Sequence, residues 1–286
     1  MIASRNAART RPPGSLGRVM PELPELEVLR ERLSPLLVGR VVREVEVSPR
    51  NGFLLRVAPD DLAGALAGRP LDALWRRGKF LVLDAAGHHL VINPMLGGRL
   101  QWTANGERVA AATVFRLLLE GDQELRFLDT VRMGRVYLAA EGGLDAVPGW
   151  SELGPEALAI GAAAFATRIR RHRGELKSVL RNQSFVAGIG NAYSDEILHH
   201  AGLLPLRRRA TLDTAGVEAL HASVRTVLTE AIAAIEAQPG WVAHKQDRSF
   251  LRVHGRGGQP CPRCGHRISE LTARQEVTSF CRGCQR

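Results

Sequence analysis

All four cysteines of this 286-residue chain lie beyond position 260, as two Cys-x2-Cys pairs, Cys261/Cys264 and Cys281/Cys284. A pair of this spacing fits a tight turn that offers two thiolates to one side, and two such pairs complete a tetrahedral Zn2+ site. Gly265 after the first pair, Gly283 inside the second, and Pro260 and Pro262 around the first supply the turn chemistry. The same cysteines can also be read as two redox dithiols or a pair of disulfides, but nothing else in the chain suggests secretion. A zinc held by four protein ligands has no open position for water. The expectation is therefore one structural Zn2+, with any catalysis elsewhere.

Two other stretches could carry chemistry. The first is Met20-Pro21-Glu22-Leu23-Pro24-Glu25-Leu26-Glu27; on its residues alone it reads as a proline-started helix whose carboxylates complement the helix dipole. The second is Val186-Ala187-Gly188-Ile189-Gly190-Asn191, a glycine-rich turn opening a helix at Ala192. Gly188 and Gly190 allow close approach of a phosphate to the free N–H groups of the helix start, and Asn191 adds a side-chain donor. The turn can equally be a tight corner; Lys177, Arg173, Arg171 and Arg170 just upstream favour the phosphate. His88/His89 and His199/His200 do not make a second metal site, because neighbours point apart on a strand and lie about 100° apart around a helix.

These residues need a scaffold. With 45% hydrophobic residues the chain can bury a full core, and its length suggests about two domains. Thirty-nine Lys+Arg against 29 Asp+Glu give a formal charge of +10, which favours a polyanionic partner such as nucleic acid. No apolar run is long enough to span a bilayer. With every cysteine assigned to zinc, a reducing cytoplasm is expected.

Residues 1–19 hold Arg5, Arg9, Arg11 and Arg18, no acidic residue and Pro12-Pro13-Gly14, and read as a disordered extension. Helical order begins at Pro21, with Leu26, Leu29, Leu33 and Leu37 on one face toward Gly39 and Pro35 expected to end or kink the helix early. Strand patterns follow at Val41 to Val47, Leu71 to Trp75, Phe80 to Asp84, Leu90 to Asn93, Val114 to Leu119, Leu125 to Asp129 and Arg135 to Leu138. A short helix from Pro59 to Ala67 interrupts them. The Gly/Pro-rich stretch 141–155 reads as a linker. Helices are predicted for Ala162 to Arg173, Glu175 to Gln183, Ala192 to Ala201 and Val217 to Glu236. The predicted class is α+β, in the order β-rich domain (20–140), helical domain (156–240) and zinc tail (241–286).

Four separated motifs then coincide: the Pro21-Glu22 start, Arg77-Gly78-Lys79, the Lys177 to Pro205 stretch with Gly188-Ile189-Gly190-Asn191, and Val253-His254-Gly255-Arg256 leading into Cys261. From Met20 to Arg286, in this order, the chain resembles the formamidopyrimidine-DNA glycosylase / endonuclease VIII family. The resemblance implies an N-terminal two-layered β-sandwich, a helix-two-turns-helix domain and a C-terminal zinc ribbon. It implies a base-excision repair enzyme, a DNA glycosylase with AP-lyase activity, acting as a nucleoid-associated monomer on double-stranded DNA with oxidised bases or abasic sites, and using no cofactor but zinc. Pro21 then matches the nucleophile, whose nitrogen attacks C1' of the damaged nucleotide, expels the base and leaves an iminium. Glu22 matches the acid of base loss and ring opening, Lys79 a lysine of the β-elimination, and Glu25 a further acid of the site. A terminal amine titrates near ~8 against ~10.4 for lysine, so far more of it is unprotonated at neutral pH.

Within a chain, proline nitrogen is an amide and has no usable lone pair. The expected mature protein therefore begins at Pro21, through translation from Met20 and removal of that methionine or through cleavage of a presequence. The residues that fill the gap left by a flipped base align with Leu96, Arg132 and Met133, although Met95 and Leu96 also suit a strand end. Some positions depart from the family. Asn93 and Ala112 stand where histidines are usual, and Glu276 where an arginine of the zinc hairpin meets phosphate. That puts the final δ-elimination in doubt unless Arg274 substitutes. The stretch between Glu236 and Arg252, home of the base-capping loop in 8-oxoguanine enzymes, looks short. The alternatives are a pyrimidine-preferring enzyme like endonuclease VIII, or a catalytically silent damage-binding protein.

Overall fold

The computed structural model describes residues 20–238, 247–273 and 276–286; the extension 1–19 lies outside them. The chain opens with α1 (Leu23–Leu37) and continues through β1 (Val42–Val47), α2 (Pro59–Leu66), β2 (Ala73–Arg77), β3 (Phe80–Ala85), β4 (His88–Asn93), β5 (Gly98–Ala104), β6 (Thr113–Leu119), β7 (Gln123–Asp129) and β8 (Arg135–Ala140). Four helices follow, α3 (Ala162–Ile169), α4 (Leu176–Arg181), α5 (Asn191–His200) and α6 (Thr214–Glu236), and then the hairpin β9 (Ser269–Ala273) and β10 (Glu276–Phe280). The class is α+β, as the sequence predicts.

The eight N-terminal strands form two antiparallel four-stranded sheets, ordered β1-β6-β7-β5 and β2-β3-β4-β8. Alternation explains their stacking. Leu81 and Leu83 of β3 and Leu90 and Ile92 of β4 face the sandwich interior, where Leu117, Leu125 and Phe127 of the other sheet and Leu26, Leu33 and Leu37 of α1 join them. The intervening Phe80, Val82 and Val91 point outward yet are also buried, because Val147 and the partly buried Trp150 and Leu153 cover them. The stretch 141–155 is thus bound onto the sheet, with Trp150 edge-on to both Trp75 and Phe80 at 5.6 Å.

A second core joins α3 to α6 through Phe165, Leu176, Phe185, Ile197, Leu220, Val224 and Leu228, and it includes Leu23 at the start of α1. A third, small core packs Val253 and Ile268 with Cys261 and Cys281, and Cys284 lies against it.

Several local expectations are corrected. Helix α1 runs through Pro35 to Leu37. Proline removes only one N–H there, in the last turn, while Leu37 beyond it is fully buried in the sandwich core. Helix α3 stops at Ile169 and not Arg173, because the Arg209 guanidinium takes the Arg170 and His172 carbonyls at 3.0 and 2.9 Å. Strand β5 has no counterpart in the sequence reading. A turn at 95–97, closed by Gly98 N–H on the Pro94 carbonyl at 2.8 Å, leads straight into the strand, where Gly98 pairs with Asp129 and Leu100 with Phe127 in a regular ladder.

Candidate active site and zinc centre

The catalytic candidates meet where α1 begins. Leu23 N–H donates to the Gly188 carbonyl at 3.0 Å, so the first turn of α1 lies against the glycine-rich turn ahead of α5. The sequence reading aims that turn's N–H groups at a phosphate; in the structure the Glu22 carboxylate occupies them. Its oxygens accept from Gly190 N (2.5 Å), Ala192 N (2.9 Å) and Tyr193 N (3.4 Å) at the N-terminus of α5. Gly190 has no room for a side chain, since a Cβ would lie 2.4 Å from Glu22 Cδ and 2.5 Å from Lys79 Nζ. Gly188, at φ +102°, is closed against Leu23 in the same way. Gln183 sets the turn: its amide donates to the Ile189 carbonyl at 2.7 Å and accepts from Gly188 N at 2.9 Å.

Lys79 arrives from the β2–β3 turn, whose Gly78 adopts φ +56°. Glu156 pins that turn by accepting from Gly78 N (2.6 Å), Arg76 (2.7 Å) and Arg77 (3.1 Å). Burial holds the Lys79 ammonium below the ordinary amine range, with the nearby Glu22 carboxylate opposing. Pro21 is buried in the same place.

Glu25, only 2% exposed, accepts from Glu22 N (3.0 Å), the Tyr193 hydroxyl (2.9 Å) and Arg248 Nε (2.7 Å). Burial raises its pKa, and Arg248 opposes the rise. Arg248 also donates to the Met20 carbonyl at 3.0 Å and stacks over the Tyr193 ring at 5.5 Å. Glu25 and Arg248 thus fix the backbone on either side of Pro21. Sequence reasoning missed Arg248 and Tyr193. A buried Tyr in the first turn of α5 is a weak signal, and an arginine 223 positions from its partner gives none.

The three gap-filling candidates lie on two adjoining loops. Asp129, 1% exposed, accepts from four successive N–H groups: Val131 and Arg132 at 2.8 Å on Oδ1, Met133 at 2.8 Å and Gly134 at 2.6 Å on Oδ2. This nest bends residues 130–134 outward, leaving Arg132 exposed at φ +61° and Met133 exposed by 38%. A Cβ on Gly97, next to Leu96, would lie 2.4 Å from Asp129 Oδ1, so the two loops touch and Leu96, partly exposed, sits beside them. An aspartate followed within a few residues by glycine was the available sign of this nest.

The basic residues upstream of the turn separate. Arg170, Arg171 and Arg173 are exposed. Lys177 is 6% exposed, and its ammonium is held by Asp195 (2.7 Å), the Val277 carbonyl (3.0 Å) and Thr278 (2.9 Å). Asn191 donates to the same Val277 carbonyl at 3.0 Å. Asp195 also accepts from Ser279 N (3.0 Å) and contacts His254 (2.8 Å), while Glu196 collects the N–H groups of Arg252, Val253 and His254, each at 2.8 Å. Helix α5 therefore presents Glu22 at its start and clamps the zinc hairpin along its side. Glu276 pairs with Arg181, Nη1 to Oε2 at 2.6 Å; Arg274 lies outside the described residues.

The four cysteine sulfurs lie within 4.8 Å of one another, with Cys261 and Cys284 at 3.8 Å and Cys264 and Cys281 at 3.4 Å. Sulfurs at about 2.3 Å from one zinc are spaced in this way. Burial and the neighbouring thiols push Cys284 up to about 12, so four thiolates coexist only around a cation. His199 Nε2 lies 3.3 Å from Cys261 Sγ. Burial holds the pKa of this imidazole down, at about 4, and the ring packs directly against the zinc-binding sulfurs. Among the described residues no helix is long and apolar enough to cross a membrane.

Comparison with known proteins agrees with this architecture. Residues 20–136 match the formamidopyrimidine-DNA glycosylase N-terminal domain, 153–238 the H2TH domain of the same enzymes, and 258–286 the zinc finger found in FPG and IleRS. The chain is 38% identical over 260 residues to the formamidopyrimidine-DNA glycosylase of Moorella thermoacetica, covering 88% of this chain and 94% of that one. It is 32% identical to that of Geobacillus kaustophilus, covering 93% and 100%. The fold superimposes on Lactococcus lactis Fpg complexed with abasic-site DNA (TM-score 0.84, 24% identity, covering 93% and 99%) and on MutM complexed with carbocyclic 8-oxo-G DNA (0.83, 25%, covering 93% and 100%). The three family models together span most of the chain in the order of its β-sandwich, helical domain and four-cysteine hairpin, and the chain belongs to the formamidopyrimidine-DNA glycosylase family.

Proposed function

We propose that Pro21 is the nucleophile of a bifunctional glycosylase/AP lyase. The enzyme is a base-excision repair DNA glycosylase acting on damaged DNA, with one structural zinc. The observation that carries the proposed site is the convergence of Pro21-Glu22 and Lys79 on the N-terminus of α5. A free Pro21 nitrogen attacks C1' of the damaged nucleotide; the glycosidic bond breaks, and the base leaves with its electron pair and a proton. Opening of the sugar ring, assisted by Glu22, leaves an iminium on the proline nitrogen. This cation acidifies the C2' proton, and its loss expels the 3' phosphate in β-elimination, with Lys79 as the neighbouring amine. Glu25, itself held by Arg248, accepts from the Glu22 N–H and so fixes the backbone that follows the nucleophile. Leu96, Arg132 and Met133 fill the gap in the stack, and Arg173 and Asn191 serve the phosphate backbone. On this reading the enzyme works at the nucleoid, where its duplex substrate lies.

The nucleophile requires that Pro21 be the first residue of the mature protein. The family match beginning at residue 20 supports this reading. With Met20 attached the nitrogen is an amide, and the chain becomes a damage-binding protein. Borohydride reduction with oligonucleotides bearing an abasic site, an oxidised purine or an oxidised pyrimidine tests both readings. A covalent adduct on Pro21, located by mass spectrometry, is expected. Tight binding with no adduct to any substrate overturns the nucleophile, and the order of trapping across the lesions gives the preference.

A further inference from the structure

The bidentate pair of Arg181 and Glu276 has no part in the site described so far. Arg181 closes α4, and Glu276 opens β10; Nη1 donates to Oε2 at 2.6 Å and Nη2 to Oε1. Both ends reach the solvent, with side-chain exposures of 31% and 48%. The pair stands at the edge of the catalytic pocket. On one side the Arg181 carbonyl accepts from Gln183 at 2.9 Å, the side chain that also sets the Gly188-Ile189 turn. On the other, Glu276 adjoins Val277, whose carbonyl is held by Asn191 and Lys177. Lys79 is near enough that its ammonium and the Arg181 guanidinium disfavour one another, while Lys79 and Lys177 both favour the ionised Glu276.

An exposed carboxylate opposes DNA, yet here it occupies both donors of a guanidinium fork beside the reacting centre. That fork matches a carboxylate and a phosphate equally well. We propose that Arg181 is a ligand for a DNA phosphate next to the lesion, and that Glu276 stands in for this phosphate in the free protein. A duplex then binds by exchange: the guanidinium leaves Glu276 for the phosphate, and the hairpin is released from α4 at this point.

This inference rests on the DNA-binding reading above, and the test separates the two. Parent, E276Q, R181Q and the double variant are titrated with a duplex carrying a tetrahydrofuran abasic analogue over a range of salt, with thermal melts as the check on folding. E276Q is expected to bind roughly two- to five-fold more tightly, since an exposed pair no longer has to open. In the E276Q background R181Q is expected to weaken binding on the order of tenfold. It should also flatten the slope of log K against log salt by about 0.9. A single methylphosphonate beside the analogue should abolish this loss, and the same change elsewhere should leave it. If R181Q costs nothing once Glu276 is neutral, Arg181 only masks the glutamate and the proposal falls. It falls also if E276Q leaves affinity unchanged, or if the loss is shared evenly among phosphates. Failure of the parent protein to bind the duplex overturns the DNA-binding reading itself.

Discussion

Gly190→Ala tests the seat of the carboxylate with one methyl group. The backbone at Gly190 is extended, so alanine adopts it without strain. The added Cβ, however, falls 2.4 Å from Glu22 Cδ, 2.5 Å from Lys79 Nζ and 2.7 Å from Glu22 Oε1. Ordinary contact begins near 3.4 Å, so the carboxylate and the ammonium must retreat by about 1 Å. Overpacking on this scale costs about 1–3 kcal/mol, far less than the fold of two packed cores and a zinc ribbon. A misplacement of about 1 Å at a reacting centre costs on the order of 10²-fold in rate. Single-turnover excision with enzyme in excess over an oxidised-base duplex is therefore expected to slow about a hundredfold. Zinc content and affinity for undamaged duplex should stay at parent levels. A Gly190→Ala protein that excises at the parent rate would refute the assignment of Glu22 and Lys79 to the reacting centre.

Arg248→Met strips buried Glu25 of the cation hydrogen-bonded to it, a loss of about 3–5 kcal/mol. Burial already raises the Glu25 pKa against the pull of Arg248. Removing the arginine raises it further, so the folded state holds a proton that the unfolded state releases above about 4.5. The stability deficit in urea melts at several pH values should grow as pH rises above about 4.5, and Glu25→Gln should recover much of it at neutral pH. Asp129→Asn removes one oxygen from the four-N–H nest and turns a donor toward it, at about 1–3 kcal/mol of local stability. Discrimination between damaged and undamaged duplex in competition binding is expected to fall about tenfold while Lys79 and Glu22 stay in place. Chelation of the single zinc should melt the β9–β10 hairpin and free Lys177 and Asn191 from Val277. Metal analysis should give one zinc per chain, and duplex binding should be lost with it; binding that survives full zinc removal would contradict the clamp built on α5.

Much of this protein is legible in one dimension. Paired Cys-x2-Cys turns determine a zinc centre because metal–ligand spacing is local. Alternating Leu and Val runs determine most strands, and leucines at helical spacing determine α1, because periodicity needs no partner. Burial overrode the local rule at Pro35, where Leu37 had a core to fill, and β5, which follows directly on the turn at 95–97, formed by pairing with β7. The Pro21-Glu22 start and Lys79 could be matched to chemistry in the sequence, but not to one another. Only the fold closes the glycine turn of α5 onto Glu22, turning an apparent anion site into the seat of a carboxylate. Only the fold lays Arg248 on Glu25, Asp129 under four N–H groups and Glu276 on Arg181. Arg248 lies 223 positions from Glu25, Arg181 95 from Glu276 and Gly190 168 from Glu22, so these groups meet only after the layers have packed and set the backbone, a condition that no run of neighbouring residues encodes.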